Sequence, residues 1–189
     1  MKKYIFLLLS VTFMSCEPNH KNRILLQSAI DEYSSGNYEN AEKYVIEYLE
    51  DDPSDIYALL LKGKILFFKK EFENASATFE KAASLKQENI DAQLWYLRSL
   101  IFSGNYEKAD AVTDNVLKEN SEDWRFYFWK AQIKKITGEL EDYFSCMNTA
   151  ELLLQDSAML YQEFADIWEE LGLAERSSVY KKKVEAVKK

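Results

Sequence analysis

The sequence predicts an all-α protein, a solenoid built from antiparallel helix pairs, and three observations carry that prediction. Four of the five glycines, Gly36, Gly104, Gly138 and Gly172, fall on a 34-residue spacing, with Gly36 and Gly104 two periods apart. Glycine accepts a positive φ without steric cost, so each marks a helix stop or tight turn, and a turn recurring at this interval signals a repeat array. The composition favours helix, with two prolines and five glycines among 189 residues and Leu, Ala, Glu and Lys plentiful. Aromatics make up 14% of the chain, more than a long coiled coil needs, and the length suffices for one domain with its own core.

Taken from the N-terminus, the first element is a leader. Residues 1–16 read MKKYIFLLLSVTFMSC, with Lys2 and Lys3 before an apolar run that starts at Tyr4. The run is of signal-peptide length and too short to cross a bilayer as a helix. It ends at Ser15-Cys16 with no alanine before Ala29, so an Ala-x-Ala cleavage site is lacking. This ending resembles the lipobox of bacterial lipoproteins, in which a small residue precedes the cysteine. The resemblance implies removal of residues 1–15 and a lipid on the Cys16 sulfur, with residues 16–21 as lipidated cysteine and polar tether. Glu17 follows the cysteine in place of aspartate, which by resemblance to the sorting rule of diderm bacteria permits outer-membrane delivery. The alternative is that Cys16 is an ordinary residue of a leader cut elsewhere. With Cys16 acylated, Cys146 has no partner in the chain and an internal disulfide is excluded. Cys146 then reads as a small buried hydrophobe.

The repeats follow. The 34-residue ruler divides the body, residues 22–189, into units 22–55, 56–89, 90–123, 124–157 and 158–189. In one register the first helix of each unit carries Ala29, Gly63, Leu97, Ala131 and Ala165, and the second carries Ala41, Ala75, Ala109, Tyr143 and Ser177. Two residues past each turn lie Tyr38, Phe72, Tyr106, Leu140 and Ala174, and Gly-Asn-Tyr-Glu-x-Ala occurs at both 36–41 and 104–109. Small residues let helix backbones approach while larger neighbours fill the grooves beside them. These columns resemble the tetratricopeptide repeat family. The resemblance covers nearly all of the body and implies a right-handed α-solenoid of about five helix-turn-helix units. Asp52-Pro53 resembles the family's proline position, whose later equivalents are Gln87, Ser121 and Gln155. Asn89, Ser121 and Ser157 read as helix N-caps. Two departures stand out: Lys70 replaces the turn glycine of the second unit, and Tyr143 replaces a small contact residue, which should push its helices apart or reroute its ring. The polar, lysine-rich last helix suits a solvent-facing cap.

Little in the chain points to catalysis. His20 is the single histidine and lies in the expected tether, so a site of several histidines or thiolates is not available, no metal or cofactor is expected, and Cys146 lacks an activating base. Phosphate-cradling glycine loops are also missing. Carboxylate pairs such as Asp31-Glu32, Asp51-Asp52 and Glu169-Glu170 read as solvated faces. The net charge of −8, about −10 once Lys2 and Lys3 leave with the leader, argues against nucleic acid as a partner.

A groove is the better candidate. In tetratricopeptide arrays the first helices line a concave face, and the family's groove positions carry over to Tyr33 in unit one and to Tyr57, Leu60, Lys64, Phe67 and Phe68 in unit two. Unit three contributes Leu94, Trp95, Arg98 and Phe102, unit four Arg125, Phe128 and Trp129, and unit five Asp166 with acidic neighbours including Glu163. Aromatics interleaved with Lys64, Arg98 and Arg125 match what interface hot spots favour, although any single ring reads more readily as core, and the alternative for the three cations is a salt bridge to a neighbouring unit. Leu26 and Ile30 occupy the positions where chaperone-tail binders clamp a terminal carboxylate, which disfavours that mode. The groove should run from apolar and cationic to acidic, orienting a peptide with its basic end toward unit five. The expected function is a non-catalytic lipoprotein of the bacterial cell envelope, lipid-anchored at the outer membrane, that binds protein segments as an adaptor or assembly factor. The alternatives are a self-associating scaffold forming homo-oligomers, or a pilot lipoprotein of the pilus or secretin type.

Overall fold

Helices take up nearly all of residues 20–153, 158–170 and 172–187, the residues described by the computed structural model. Cys16 and the leader lie outside the described residues, as do Gln155 and Ser157. The helices are α1 (His20–Ser34), α2 (Tyr38–Asp51), α3 (Ile56–Phe68), α4 (Phe72–Leu85), α5 (Ile90–Phe102), α6 (Tyr106–Glu119), α7 (Trp124–Thr137), α8 (Leu140–Leu153), α9 (Ala158–Glu170) and α10 (Ala174–Val187). Helix α1 takes in His20 and Lys21, the last two residues of the expected tether. Consecutive helices pack as five pairs, and α1, α3, α5 and α7 also meet across the pairs to form an inner row. Seven of the thirteen residues of α3 are buried against three of the fourteen in α4. An inner helix is covered by its partner and by both neighbouring units, whereas an outer helix needs only one apolar stripe.

The turns explain the ruler. Gly36, Gly104, Gly138 and Gly172 adopt φ between 71° and 86°, the left-handed region. Lys70, on the vacant mark of the ruler, adopts φ 65°. The next residue closes the same bond in all five turns: Asn37 to Glu32, Glu71 to Leu66, Asn105 to Leu100, Glu139 to Lys134 and Leu173 to Trp168, each N–H donating to the carbonyl at 2.8–2.9 Å. This is the Schellman bond that satisfies a carbonyl left over at a helix end. The second turn therefore keeps the repeat geometry with a lysine in a conformation that penalises a Cβ.

The caps follow a second ruler. The side chains of Asp55, Asn89 and Asp123, one period apart, accept from the backbone N–H of Ala58, Ala92 and Arg125 at 3.0 Å. Ser121 does not cap α7, because the chain reaches helical geometry two residues later, after Asp123.

Packing redistributes bulk along the contact columns. Gly63 faces Phe79, whose ring lies 2.5 Å from where a Cβ on Gly63 would stand. Leu97 occupies the small-residue column of α5 and is fully buried, and α5–α6 is the loosest of the five pairs. Tyr143 does not spread α7 and α8, which pack as closely as α1 and α2. Its ring is rerouted into a cluster with Ala131, Met147, Phe164 and Trp168, filling space between units four and five. Cys146 is half-buried beside that cluster, and burial pushes its thiol pKa up.

Candidate functional site

The inner row converges on a pocket of about 240 Å³ between α5 and α7, closed at one side by α9. Leu94, Trp95 and Arg98 reach it from α5, Arg125, Phe128 and Trp129 from α7, so six of the groove residues expected from the sequence come together there. The helix periodicity explains the set. Residues 91, 94, 95 and 98 share one face of α5, and 124, 125, 128 and 129 share the matching face of α7.

Arg98 sits at the centre of this arrangement. Its guanidinium carbon lies 4.2 Å from the centroid of Trp95 and 5.5 Å from those of Phe67 and Trp129. Cation–π attraction of this kind holds the group in place. Its Nε is buried without a hydrogen-bond partner. Burial lowers its pKa from the usual arginine value, an effect that Asp91 nearby opposes, and a guanidinium stays charged through such shifts.

The other two expected cations are already engaged. Lys64 bonds Asp91 across units two and three at 3.2 Å, with its ammonium 5.4 Å from the Trp95 ring. Arg125 makes a bidentate pair with Asp123, Nε to Oδ1 at 2.9 Å and Nη2 to Oδ2 at 2.6 Å. Burial disfavours the charged form of Asp123, but the bonds from Arg125 outweigh it and hold the carboxyl below its ordinary pKa. The same capping residue thus starts α7 and holds Arg125. Arg98 alone of the three has no carboxylate at hydrogen-bond distance among the described residues.

The remaining expected groove residues lie around the pocket. Leu60 and Phe67 are buried in the core of units two and three. Phe67 links a chain of rings at the C-terminal ends of the inner helices, meeting Phe68, Phe72, Trp95 and Phe102 at centroid distances of 5.1–5.9 Å. Tyr33 extends the chain through Phe68 at 6.0 Å. Phe68, Phe102 and Ile136, one period apart, remain about half exposed at 45%, 53% and 51%. Tyr57 is 80% exposed and stands apart from these contacts. Asp166, on α9, is exposed and accepts from Gln162 at 2.8 Å.

Two lining residues, Asp91 and Trp124, were not among the expected groove positions, and Glu163 was expected on the acidic face of unit five rather than in this pocket. Asp91 shares the column of Tyr57 and Arg125, a signal that weighting toward aromatics and cations passes over. Trp124 opens its helix just before the position-two column. Glu163 comes from α9 in unit five, next to unit four and two units beyond α5, a proximity that only stacking creates.

The ten helices pack pairwise like about five tetratricopeptide helix-turn-helix repeats, with a pocket on the inner row. Residues 26–90 match the family model described as Tetratricopeptide repeat. No curated protein matches the chain. Among solved structures, MamA from Desulfovibrio magneticus RS-1, from residue 41 to its end, is similar with a TM-score of 0.70 at 18% identity, over 89% of this chain and 96% of that one. A tetratricopeptide repeat protein from Parabacteroides merdae gives a TM-score of 0.69 at 20% identity, over 88% of this chain and 65% of that one. A thermophilic tetratricopeptide repeat protein of Thermus thermophilus gives 0.68 at 14%, over 86% and 89%. At these identities the likeness establishes the fold, and the ligand must be argued from this chain's own residues.

Proposed function

We propose that the chain is a non-catalytic binding scaffold that holds a protein segment on its inner helix row. The observation that carries this reading is Arg98, a half-buried cation without a carboxylate among the described residues, set among Trp95, Phe67 and Trp129 in the lining of a pocket sized for about one large side chain. A charge left without a partner in such a site costs stability, and a bound segment removes that cost. The half-exposed rings of Phe68 and Phe102 extend the apolar surface beyond the pocket, as hot-spot anchors flanked by further contacts do. Tethering by lipid on Cys16 would place this scaffold in the bacterial cell envelope as an adaptor or assembly factor. The support for that finer reading is the leader sequence ending in Ser15-Cys16.

Two measurements test the reading. In crosslinked pull-down from the native envelope, Arg98→Glu and Trp95→Ala should lose the wild-type partner while the variants stay folded and monomeric. Retention of the same partner by both variants would overturn groove binding, and concentration-dependent mass in light scattering that ignores both residues would favour a self-associating scaffold instead. Radiolabelled palmitate should enter the wild-type protein and not Cys16→Ser; equal labelling, or none, refutes the anchor.

A further inference from the structure

We propose that the segment bound between α5 and α7 is dipolar: an internal acidic side chain meets Arg98, an apolar residue fills the aromatic pocket, and a basic residue turns toward Glu163 on α9. The inference rests on the reading of the inner row as a peptide-binding face and adds the chemistry and direction of what binds.

Charge pairing within the pocket carries the argument. Four charged residues line it, and two are spoken for: Asp91 by Lys64 and Arg125 by Asp123. Arg98 and Glu163 have no hydrogen bond or ion pair among the described residues. They are opposite in sign and come from different units, Arg98 from unit three and Glu163 from unit five. The field around Glu163 is reinforced by Asp166, one helical turn away on the exposed face of α9. The wall between them is apolar, made of Trp95, Trp124, Phe128 and Trp129. Arg98 is the half-buried charge that a ligand must answer, and Glu163 is an exposed carboxylate whose field favours a basic group at the other end, so a segment carrying both signs is the complement.

The acidic group is a side chain within the segment rather than a chain terminus. The surface continues past Arg98 over the half-exposed rings of Phe102 and Phe68, so an extended segment passes across Arg98 instead of ending there. Guanidinium geometry suits a carboxylate, which accepts two parallel N–H bonds. Nε is the one buried, unpartnered nitrogen of the group, so the two terminal Nη nitrogens supply those donors.

The test uses a random-peptide library displayed between constant flanks, so that no probe has a free terminus, selected on the folded chain. Synthetic versions of the enriched peptides are then titrated by tryptophan fluorescence, to which the protein reports well because three of its four tryptophans line the pocket. Enriched peptides should carry Asp or Glu on one side of a large apolar residue and Lys or Arg on the other. Arg98→Gln should erase the acidic preference and weaken a selected peptide about 10- to 100-fold, the effect of removing one charged hydrogen-bonding partner. Glu163→Gln, at an exposed position that leaves folding intact, should erase only the basic preference. Arg98→Glu combined with Glu163→Arg should select the reversed charge order.

Peptides that depend on Trp129 yet show no charge preference would overturn this inference and leave the groove reading standing. A free terminal carboxylate restoring full affinity to a peptide without its acidic side chain would overturn the internal-side-chain assignment. Enrichment no better on the wild type than on a Trp95→Ala, Trp129→Ala variant would overturn both. Dissociation of a wild-type oligomer by Arg98→Gln would show the occupant to be a second copy of the chain, and refute the dipolar segment.

Discussion

Gly63 lies in the middle of α3, where replacement by alanine would ordinarily stabilise a helix by about 0.5–1 kcal/mol. Here the opposite sign is expected. A Cβ at this position would stand 2.5, 2.6 and 2.8 Å from three atoms of the Phe79 ring, whereas carbon atoms rest at about 3.5–4.0 Å. The ring has to retreat by about 1 Å. It is fully buried and stacked on Trp95 at 5.7 Å, so it retreats only by displacing the wall of the pocket. Overpacking of this kind costs about 1–3 kcal/mol. Set against the propensity gain, Gly63→Ala should destabilise by up to about 2.5 kcal/mol, lowering the thermal midpoint by up to about 10 °C for a domain of this size. Circular dichroism through thermal and urea unfolding reads the change, and Trp95 fluorescence reads the displaced ring. In a Phe79→Leu background the obstruction is gone, and the same Gly63→Ala step should become stabilising by about 0.5–1 kcal/mol. Stabilisation in the wild-type background, or an equal cost in both backgrounds, would refute the argument that contact with Phe79 selects glycine at position 63.

Lys70→Gly should stabilise by about 0.5–1 kcal/mol: it removes about 1–2 kcal/mol of left-handed strain, partly offset by the added freedom of glycine in the unfolded chain. An unchanged or lower midpoint would show that the turn tolerates φ 65° without strain. Ala75→Leu, at a fully buried position on α4, should cost about 1–3 kcal/mol through overpacking, and an unchanged midpoint would sink the repeat register. Acid sensitivity follows from Glu80, which accepts from Tyr96 Oη at 2.7 Å and Lys108 Nζ at 3.0 Å. The Tyr96 bond is the main cause that lowers its carboxyl pKa below 4.5; burial opposes it and Lys108 adds to it. A lowered folded pKa contributes stability that is complete above the ordinary value and is lost as pH falls through the folded one. Glu80→Gln should therefore flatten part of the stability loss below about pH 4.5 and change nothing in slope at neutral pH, and an acid limb identical to wild type would refute the assignment.

The architecture was legible because repetition writes it into the chain several times over. A residue needed for a positive φ, such as Gly36 or Gly104, is selected by local backbone sterics, and its 34-residue spacing survives in the sequence. The capping column at Asp55, Asn89 and Asp123 obeys the same local rule. Sequence reasoning places the α7 cap two residues early at Ser121, since several polar residues there satisfy the composition of a cap. The membership of Trp95, Arg98, Phe128 and Trp129 in one groove was legible through the resemblance to tetratricopeptide repeats, whose groove positions carry over to them, while helical periodicity accounts for the shared face within each helix.

What only the tertiary structure decided is which charges and rings are free. Lys64, Arg98 and Arg125 look alike in sequence, yet Lys64 and Arg125 find Asp91 and Asp123 while Arg98 finds aromatic rings. Pairing depends on distances across units, and those depend on how closely each helix pair packs. The same holds for Tyr143, whose bulk goes into the cluster between units four and five rather than separating its own pair. It holds for Glu163 too, which joins the pocket from unit five. Backbone preferences are short-range and leave a periodic trace in sequence, so the helix pairs and their turns could be read directly. Partner choice is long-range and leaves no such trace. Stacking therefore decided that Arg98, alone of the three cations, has no carboxylate partner among the described residues.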